Sequence, residues 1–343
     1  MTLTGRRRRR WRLVLWICLG SALVSAWFGY RAAARAASDP AYGALTGVVT
    51  SLLISIPLVL FELHGQSLAI ARRLRRLPLW LYFGARVVLY VAVILFGLTA
   101  ARLMIDGPTF RFADIFESGG FTFSVTMALI ANAGLEIGHL IGFGTLVSLM
   151  SGRYARPRRE QRAFLLIDMK GSTGLAERLG PLRFLDLLND FFRDVTDGAL
   201  ECGAEIHKYV GDEAILTWRI GPAPVDPDVL ACPFVIRDLI EARAADYRGH
   251  YDVEPRFRAA LHCGEIVTGQ IGDVRREIAF VGDTLNVAAR LLEAARETGR
   301  DVLVSTELLD RVALPPGLVA EPLPTLDVRG RAASLGIAAL GRS

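Results

Sequence analysis

The chain has 343 residues, of which 52% are hydrophobic and 22% are charged, and its formal net charge is +5. This length allows about two or three domains, and the apolar share is high for a purely soluble protein. The four cysteines have neither metal-ligand spacing nor a disulfide framework, which excludes a zinc ribbon and a disulfide scaffold. The apolar excess falls before residue 150, so two different halves are expected.

The first half, residues 1–150, has four apolar stretches of about 20 residues or more, each long enough to cross a bilayer. They are 11–30, 43–63, 79–103 and 121–150. Arginine-rich segments at 6–10, 72–76 and 153–159 flank them, and cytoplasmic loops carry such arginines. We therefore predict a four-helix, multi-pass domain in the lipid bilayer of the inner (plasma) membrane, with both termini cytoplasmic. The N-terminal arginine run beside an apolar span predicts no nucleic-acid partner.

Two ionisable residues at membrane depth, Glu136 and His139, are three positions apart and share one helix face. One interpretation is a sensor site for a ligand, a proton or a metal. The other is hydrogen bonding between helices of the bundle or of a dimer. A short basic linker, 151–162, follows and is interrupted by Pro157, and it lacks the heptads of a coiled coil.

The second half, residues 163–343, alternates between short apolar runs and helical patterns. Strands are predicted at Ala163–Ile167, Ala204–Val210, Ala214–Trp218, Arg256–Cys263 and Glu265–Ile271, and helices at Leu175–Leu200, 228–247 and Thr284–Thr298. The order β-α-β-β-α-β predicts an α+β ferredoxin-like core with appendages, large enough for one packed domain.

The first motif, Asp168-Met-Lys-Gly-Ser-Thr173, joins a predicted strand to a helix. Gly171 permits a tight turn, and Ser172 and Thr173 are suited to cap the helix, whose free amides form an anion site. A carboxylate at this strand end is well placed for a divalent metal. The alternative is an ordinary capped turn with a solvated aspartate.

The second motif, Lys208-Tyr-Val-Gly-Asp212, places another carboxylate at a hairpin tip. Two carboxylates from neighbouring strands suit a two-metal site for phosphoryl or nucleotidyl transfer. Lys208 is one of only two lysines among 40 basic residues, the other being Lys170. It is suited to bind a purine acceptor or a phosphate. The alternative is a hairpin turn that merely uses Gly-Asp.

The third motif, Gly282-Asp-Thr-Leu-Asn-Val-Ala-Ala-Arg290, opens a predicted helix that Asp283 or Thr284 is placed to cap. Asn286 and Arg290 are four positions apart and project together. Arg290 is suited to neutralise charge on a transferring phosphate. The alternative is a surface asparagine beside a salt-bridging arginine.

Together the three motifs resemble the catalytic domain of the class III adenylate and guanylate cyclases, over about residues 160–340. The resemblance implies the cyclase fold, a head-to-tail homodimer with shared active sites, and two Mg²⁺ or Mn²⁺ ions per site. Asp168, Asp212 and the carbonyl of Met169 match metal ligands. Lys208 matches the adenine-contacting lysine.

By the same resemblance, Asn286 matches the ribose-orienting asparagine and Arg290 the transition-state arginine, both supplied by the partner chain. Arg329 or Arg331 lies near a basic phosphate contact of the family. The implied reaction is attack of the ribose 3′-oxygen of ATP on the α-phosphate. All the groups that this chemistry needs are present, which favours an active enzyme.

One position departs from the family pattern. Adenine-selective members often carry aspartate or threonine seven residues before the asparagine, where this chain has Ala279, which has no polar side-chain atom. Guanylate cyclases typically have an acidic residue in place of Lys208, so the resemblance favours ATP. The competing predictions are a guanylate or base-relaxed cyclase, and a membrane sensor whose cyclase-like domain only binds nucleotide.

Overall fold

The computed structural model describes residues 4–35, 39–64, 78–107, 111–112, 114–117, 119–221, 225–274, 277–327 and 334–343. The chain forms two compact units, Met1–Leu140 and Ile141–Ser343. The first unit is helical, and the second is built on a single mixed β-sheet.

The helices of the first unit are α1 (Thr4–Arg35), α2 (Pro40–His64), α3 (Leu79–Asp106), the one-turn α4 (Asp114–Glu117) and α5 (Gly120–Ile141). The backbones of α1 and α2 approach closely, since a Cβ added to Gly29 would lie 2.1 Å from the carbonyl oxygen of Gly43. The hydroxyls of Ser21 and Ser51 also form a 2.8 Å hydrogen bond between these helices. Small residues thus bring the two helices together, as membrane helices often pack.

Three helical segments among the described residues are long and apolar enough to cross a bilayer: Pro40–Phe61, Leu81–Ile105 and Gly120–Gly138. The first predicted span, 11–30, lies within α1, but its side chains before residue 15 are outside the described part and the span stays a prediction. The predicted span 121–150 is divided, because Gly142, at a φ of 86°, separates α5 from α6 (Phe143–Met150).

Glu136 forms an ion pair between two helices of the first unit. Its carboxylate accepts a 2.9 Å hydrogen bond from the largely buried Arg86 of α3. Arg86 also donates to the hydroxyl of Tyr90, at 3.0 Å. Glu136 therefore takes part in helix-to-helix bonding, while the side chain of His139 lies outside the described residues.

In the described part of the second unit, the sheet contains eight strands: β1 (Arg158–Met169), β2 (Glu205–Val210), β3 (Glu213–Arg219), β4 (Phe257–Ile271), β5 (Glu277–Val281), β6 (Val302–Ser305), β7 (Leu318–Leu326) and β8 (Leu335–Arg342). The order is β2-β3-β1-β4-β6-β8-β7, with β5 paired to β4. Neighbouring strands among the first four pair antiparallel, and these four form the predicted ferredoxin-like core.

Helices cover both faces of this sheet. They are α7 (Ser172–Glu201), α8 (Asp228–Ala242), α9 (Ala244–Tyr251), α10 (Asp283–Glu297) and α11 (Thr306–Leu309). Alternate residues of β1 face opposite sides: Leu165 joins the core beneath α7 and α8, and Phe164 the core beneath α10. β1 is thus buried on both faces at the centre of the domain.

One strand prediction and two cap predictions are wrong. The predicted strands on either side of Gly264 form one strand, β4, because glycine there serves close packing: an added Cβ would lie 2.6 Å from the Thr284 hydroxyl. Side-chain capping is also absent from α7 and α10, whose N-caps are Gly171 and Gly282. Ser172, Thr173 and Asp283 begin the helices instead, and Thr284 donates to the carbonyl of Glu265 at 2.8 Å.

The predicted helix 228–247 is divided at Arg243, which makes a buried ion pair. Arg243 donates to the buried carboxylate of Asp194 at 2.5 Å, and the hydroxyl of Tyr247 donates to the same carboxylate at 2.6 Å. Burial raises the pKa of Asp194, although both hydrogen bonds act to lower it. Asp194 thus carries a desolvation cost that its two donors offset only in part.

We expect Arg243→Ala to lower the free energy of local unfolding of α7 by about 2–3 kcal/mol. The reason is that the buried carboxylate of Asp194 then has one hydrogen-bond donor fewer. This is below the cost for a fully buried pair, since Arg243 is 28% exposed. Native-state hydrogen exchange of α7 amides in the solubilised chain measures the change. Arg248→Ala, which breaks an exposed pair with Glu254, is the control and should cost less than about 1 kcal/mol. Equal costs would contradict this account.

Candidate active site

The first predicted metal ligand, Asp168, lies near the end of β1, flanked by β3 and β4. Its partners across the ladders are Glu213 and Arg258. The Asp168 carboxylate is largely buried and accepts a 3.1 Å hydrogen bond from Nη2 of Arg296, in the last turn of α10. It is therefore a partnered carboxylate beside two cations, and the solvated aspartate of the alternative interpretation is wrong.

The second predicted ligand, Asp212, follows Gly211 in the tight turn between β2 and β3. Burial raises the pKa of Asp168, the Arg296 hydrogen bond opposes this, and the negative charge of Asp212 raises it further. Burial, followed by the charges of Asp168 and Asp212, raises the pKa of Glu213 to about 7. The fold thus places three carboxylates close enough to repel one another.

The donor chemistry of this cluster fits a divalent metal. Carboxylate and carbonyl oxygens are the ligands of hard cations, and a bound cation would relieve the repulsion between Asp168 and Asp212. Among the described residues no three Asp, Glu, His or Cys side chains already converge on one point. The family resemblance implies Asp168, Asp212 and the Met169 carbonyl as the protein ligands of such a metal.

The turn that the sequence predicts to bind phosphate begins directly after β1. Gly171 has a left-handed φ of 69° and precedes α7, whose first turn contains Ser172 and Thr173. Because no side chain caps this helix, its first backbone N–H groups remain available to an anion. Lys170, by contrast, is ion-paired with Asp301. An open cavity of about 280 Å³ beside the turn is lined by Lys170, Gly171, Gly174, Leu175, Arg178, Val253, Glu254 and Arg256.

Lys208 lies on β2 directly after a β-bulge, and its side chain is exposed. The bulged residue, His207, stacks on Phe280 of β5 with ring centroids 4.2 Å apart. Ala279, the residue before Phe280, pairs with Gly269 of β4 and is partly exposed. The two predicted purine positions, 208 and 279, therefore adjoin the two members of one ring stack.

Asn286 and Arg290 lie on α10, and the described contacts place Arg290 away from Asp168. Arg290 is exposed and donates to Glu293 on its own helix at 2.7 Å. It lies about 9 Å along the helix axis from Arg296, and roughly 120° around it. Within one chain, Arg296 rather than Arg290 faces the Asp168 carboxylate. Arg329 and Arg331 lie outside the described residues.

Five residues near these positions were missed by the sequence analysis: Glu213, Arg258, Arg296, His207 and Phe280. The first three meet Asp168 only through strand register and helix packing, across up to 128 positions in the case of Arg296. Glu213 had the clearest signal, since it follows Asp212 at a hairpin tip. The bulge at His207 had no sequence signal that we can identify.

The lowered pKa of His207 predicts that the folded chain loses stability in acid. Burial, with Lys208 and Arg162 adding to it, lowers its pKa from 6.5 to about 4. Between these values the unfolded chain binds the proton more strongly than the folded chain does. Stability is therefore complete above about pH 6.5 and falls by up to about 3 kcal/mol as the pH drops towards 4.

We expect His207→Phe, which keeps a ring but cannot bind a proton, to reduce this pH dependence. Hydrogen exchange of β2 amides between pH 4 and 7, corrected for the intrinsic exchange rate, measures it. The same pH dependence in the variant, or a His207 pKa near its ordinary value by NMR, would contradict the assignment.

Comparisons with known proteins identify the family of the chain. Residues 155–334 match the family model of the adenylate and guanylate cyclase catalytic domain. Adenylate cyclase 2 of Rhizobium meliloti (strain 1021) is 33% identical over 343 residues, covering 96% of this chain and 92% of that protein. Adenylate cyclase 1 of the same strain is 28% identical over 63% of this chain and 31% of its own length.

Among solved structures, a bacterial light-regulated adenylyl cyclase has a TM-score of 0.52 at 14% identity, and the match covers 64% of each chain. That likeness concerns the fold, and it confirms the predicted α+β cyclase architecture. The family model and adenylate cyclase 2, which aligns along almost the whole chain, also show the family to which the chain belongs. The chain therefore belongs to the adenylate and guanylate cyclase family, and its second unit holds a class III nucleotide cyclase domain.

Proposed function

We propose that this chain is a membrane-anchored adenylate cyclase, which converts ATP to 3′,5′-cyclic AMP and pyrophosphate. The observation that carries the proposal is that the turn with Asp212 lies beside Asp168 at the end of β1, because the next residue, Glu213, pairs with Asp168 across β1 and β3, in a chain of the cyclase family. The alignment with adenylate cyclase 2 of Rhizobium meliloti along 96% of this chain favours the adenylate activity.

The metal site would consist of Asp168, Asp212 and the carbonyl of Met169, holding two Mg²⁺ or Mn²⁺ ions. Bound ions would supply Lewis acidity, which lowers the pKa of the ribose 3′-hydroxyl and neutralises the pyrophosphate leaving group. The buried position of Asp168 supports this role, because water exclusion strengthens the interaction of a carboxylate with a cation.

Other residues of the chain would bind and orient the nucleotide. Lys208 would bind the purine, Asn286 would orient the ribose, and Arg290 would stabilise charge that develops on the α-phosphate. The 3′-oxygen forms a bond to the α-phosphorus, the bond from that phosphorus to pyrophosphate breaks with pyrophosphate taking the electron pair, and the hydroxyl proton passes to solvent water. Each group acts by position and charge, so a displacement of about 1 Å would slow the reaction.

The phosphates would lie at the turn after β1. Gly171 and the first-turn amides of Ser172 and Thr173 form a helix N-terminus without a side-chain cap, which suits an anion. Arg331 would provide a further phosphate contact, as the family resemblance implies.

We further propose that the active enzyme is a homodimer whose sites are shared between chains. Within one chain, Arg290 lies away from Asp168, so a partner chain would have to supply the Arg290 that acts beside Asp168 and Asp212. The hairpin that carries Asp212 also exposes apolar surface, since Tyr209 is 43% and Val210 is 53% exposed. A second catalytic domain would bury this surface beside the site.

The first unit would anchor the enzyme in the plasma membrane with the catalytic domain in the cytoplasm. Three apolar helices support the anchoring. The arginine segments 6–10, 72–76 and 153–159 support the orientation, with four spans and both termini cytoplasmic. The lipid bilayer is then a permanent partner of the chain.

The competing proposal is a guanylate or base-relaxed cyclase, because the Ala279 side chain cannot hydrogen-bond a purine edge. Comparing kcat/KM for ATP and GTP in the solubilised full chain with Mn²⁺ decides between them. We expect ATP to be preferred, and Lys208→Met to reduce that preference about tenfold or more. Equal rates with both nucleotides would favour a base-relaxed cyclase. Binding without turnover of either nucleotide would favour a sensor with an inactive domain.

A further inference from the structure

Arg162 is a buried cation at the centre of the sheet, with a side chain that is only 1% exposed. Its three nitrogens donate to Glu160 at 3.1 Å, to Glu205 at 3.0 Å and to the hydroxyl of Tyr154 at 3.1 Å. A guanidinium removed from water is held by such hydrogen bonds. Its position is therefore fixed by β1, by β2 and by the segment before β1.

Two aromatic rings lie next to this cation, one after the other. The Arg162 guanidinium carbon lies 4.7 Å from the ring centroid of Phe280, within cation–π distance. Phe280 in turn stacks on His207 at 4.2 Å, with an interplanar angle of 29°. We call Arg162, Phe280 and His207 the ring column.

The ring column joins two strands that are not hydrogen-bonded to each other. β2 pairs with β3, and β5 pairs with β4, so two strands of the sheet, β3 and β1, separate β2 from β4. The contact between His207 and Phe280 crosses this distance by side chains alone. Phe280 also meets the ring of Phe164 from β1, at 5.6 Å, which fixes it from the sheet side.

The ring column adjoins the two predicted purine positions, because His207 precedes Lys208 and Phe280 follows Ala279. The register of β2 with β3 shifts between Ile206 and Lys208, so His207 is the extra residue of the bulge. A bulge changes the direction of the side chains that follow it. The position of the His207 ring therefore determines the direction of the Lys208 side chain. In the same way, the position of the Phe280 ring determines the direction of the Ala279 side chain.

The charge of the column is compatible with this arrangement. Burial, with smaller effects of Lys208 and Arg162, lowers the His207 pKa to about 4, so the ring is uncharged near neutral pH. An uncharged imidazole does not repel the guanidinium or the ammonium on either side of it. The stack and the exposed charge of Lys208 therefore coexist near neutral pH.

We propose that the ring column is the positioning element for base recognition, which holds Lys208 on β2 and Ala279 on β5 at the separation that a purine requires. This inference rests on the proposed function, which assigns Lys208 to the purine. His207, Phe280 and Arg162 act through Lys208 and are positioning residues.

The test compares Phe280→Leu with Phe234→Leu in the solubilised full chain. Phe234 is buried, whereas Phe280 is partly buried, and Phe234 also packs against arginine side chains, but it belongs to α8, in the core on the other face of the sheet. We expect Phe280→Leu to raise the KM for ATP about tenfold, to change kcat less than about twofold and to lower the ATP preference over GTP. Phe234→Leu should leave these values unchanged.

A binding measurement with 3′-deoxy-ATP, which lacks the attacking hydroxyl, should show the same tenfold weakening without turnover. Phe280→Tyr, which keeps the ring, should restore the affinity. Combining Phe280→Leu with Lys208→Met should give no further loss, because both changes remove one interaction.

Equal effects of Phe280→Leu and Phe234→Leu, or additive effects of Phe280→Leu and Lys208→Met, would overturn the inference. If Lys208→Met alone leaves KM and base preference unchanged, the assignment of Lys208 in the proposed function is wrong. If Lys208→Met changes them and Phe280→Leu does not, the ring column alone is wrong.

Discussion

Asp212→Ala should lower kcat for cyclic AMP formation by about 10³-fold or more, because it removes one of two carboxylates that bind the metals. The variant should fold, since Asp212 lies in a turn at the hairpin tip rather than in the core. Removing one negative charge from beside Asp168 and Glu213 also relieves repulsion, so the metal-free protein should not lose stability.

The measurement is the rate of cyclic AMP formation with Mn²⁺, together with Mn²⁺ binding by calorimetry. Asp226→Ala is the matched control, because Asp226 is an exposed loop aspartate whose carboxylate accepts the backbone N–H of Asp228. It should retain full activity. Cyclic AMP output from Asp212→Ala at the level of the unaltered chain would contradict the two-metal assignment.

Arg290→Ala should be about as harmful, because an arginine that stabilises transferring phosphate is worth about 10³-fold or more in rate. Its only described ion pair is with Glu293 on the surface of α10, so its loss should not affect folding. The shared-site proposal adds a sharper expectation. Neither Arg290→Ala nor Asp168→Ala chains should be active alone, but a mixture of the two should be.

The recovery can be calculated from the symmetry of the dimer. In a mixed dimer, one site contains both changes and the other contains neither. If chains pair at random, half of the dimers are mixed, and about a quarter of the unaltered activity should return. Recovery is measured after co-expression, with two affinity tags to show that mixed dimers form. Mixed dimers without recovered activity would contradict the shared site.

The hairpin of the active site was predictable because its signals are local. Apolar runs on both sides of Gly211 and Asp212 predict two strands with a tight turn, and the structure forms β2 and β3 there. Asn286 and Arg290 were placed on a helix because apolar residues recur at helical spacing through α10. The motif spacing also supported the family resemblance, which the comparisons confirm.

The surroundings of Asp168 were not predictable in the same way. Arg258 and Glu213 reach it through the registers of β4 and β3, and Arg296 through the packing of α10 on the sheet. No local pattern encodes such contacts. The error at Gly264 has the same origin: glycine in a strand signals a break, whereas here it makes room for Thr284 of α10.

The most direct test of the central claim follows the products of the full chain in detergent or lipid vesicles with ATP and Mn²⁺. The account predicts 3′,5′-cyclic AMP and pyrophosphate in equal amounts, with formation abolished by chelation of the metal and restored by its return. Release of ADP and phosphate, or no cyclic nucleotide from ATP at any metal concentration, would contradict it.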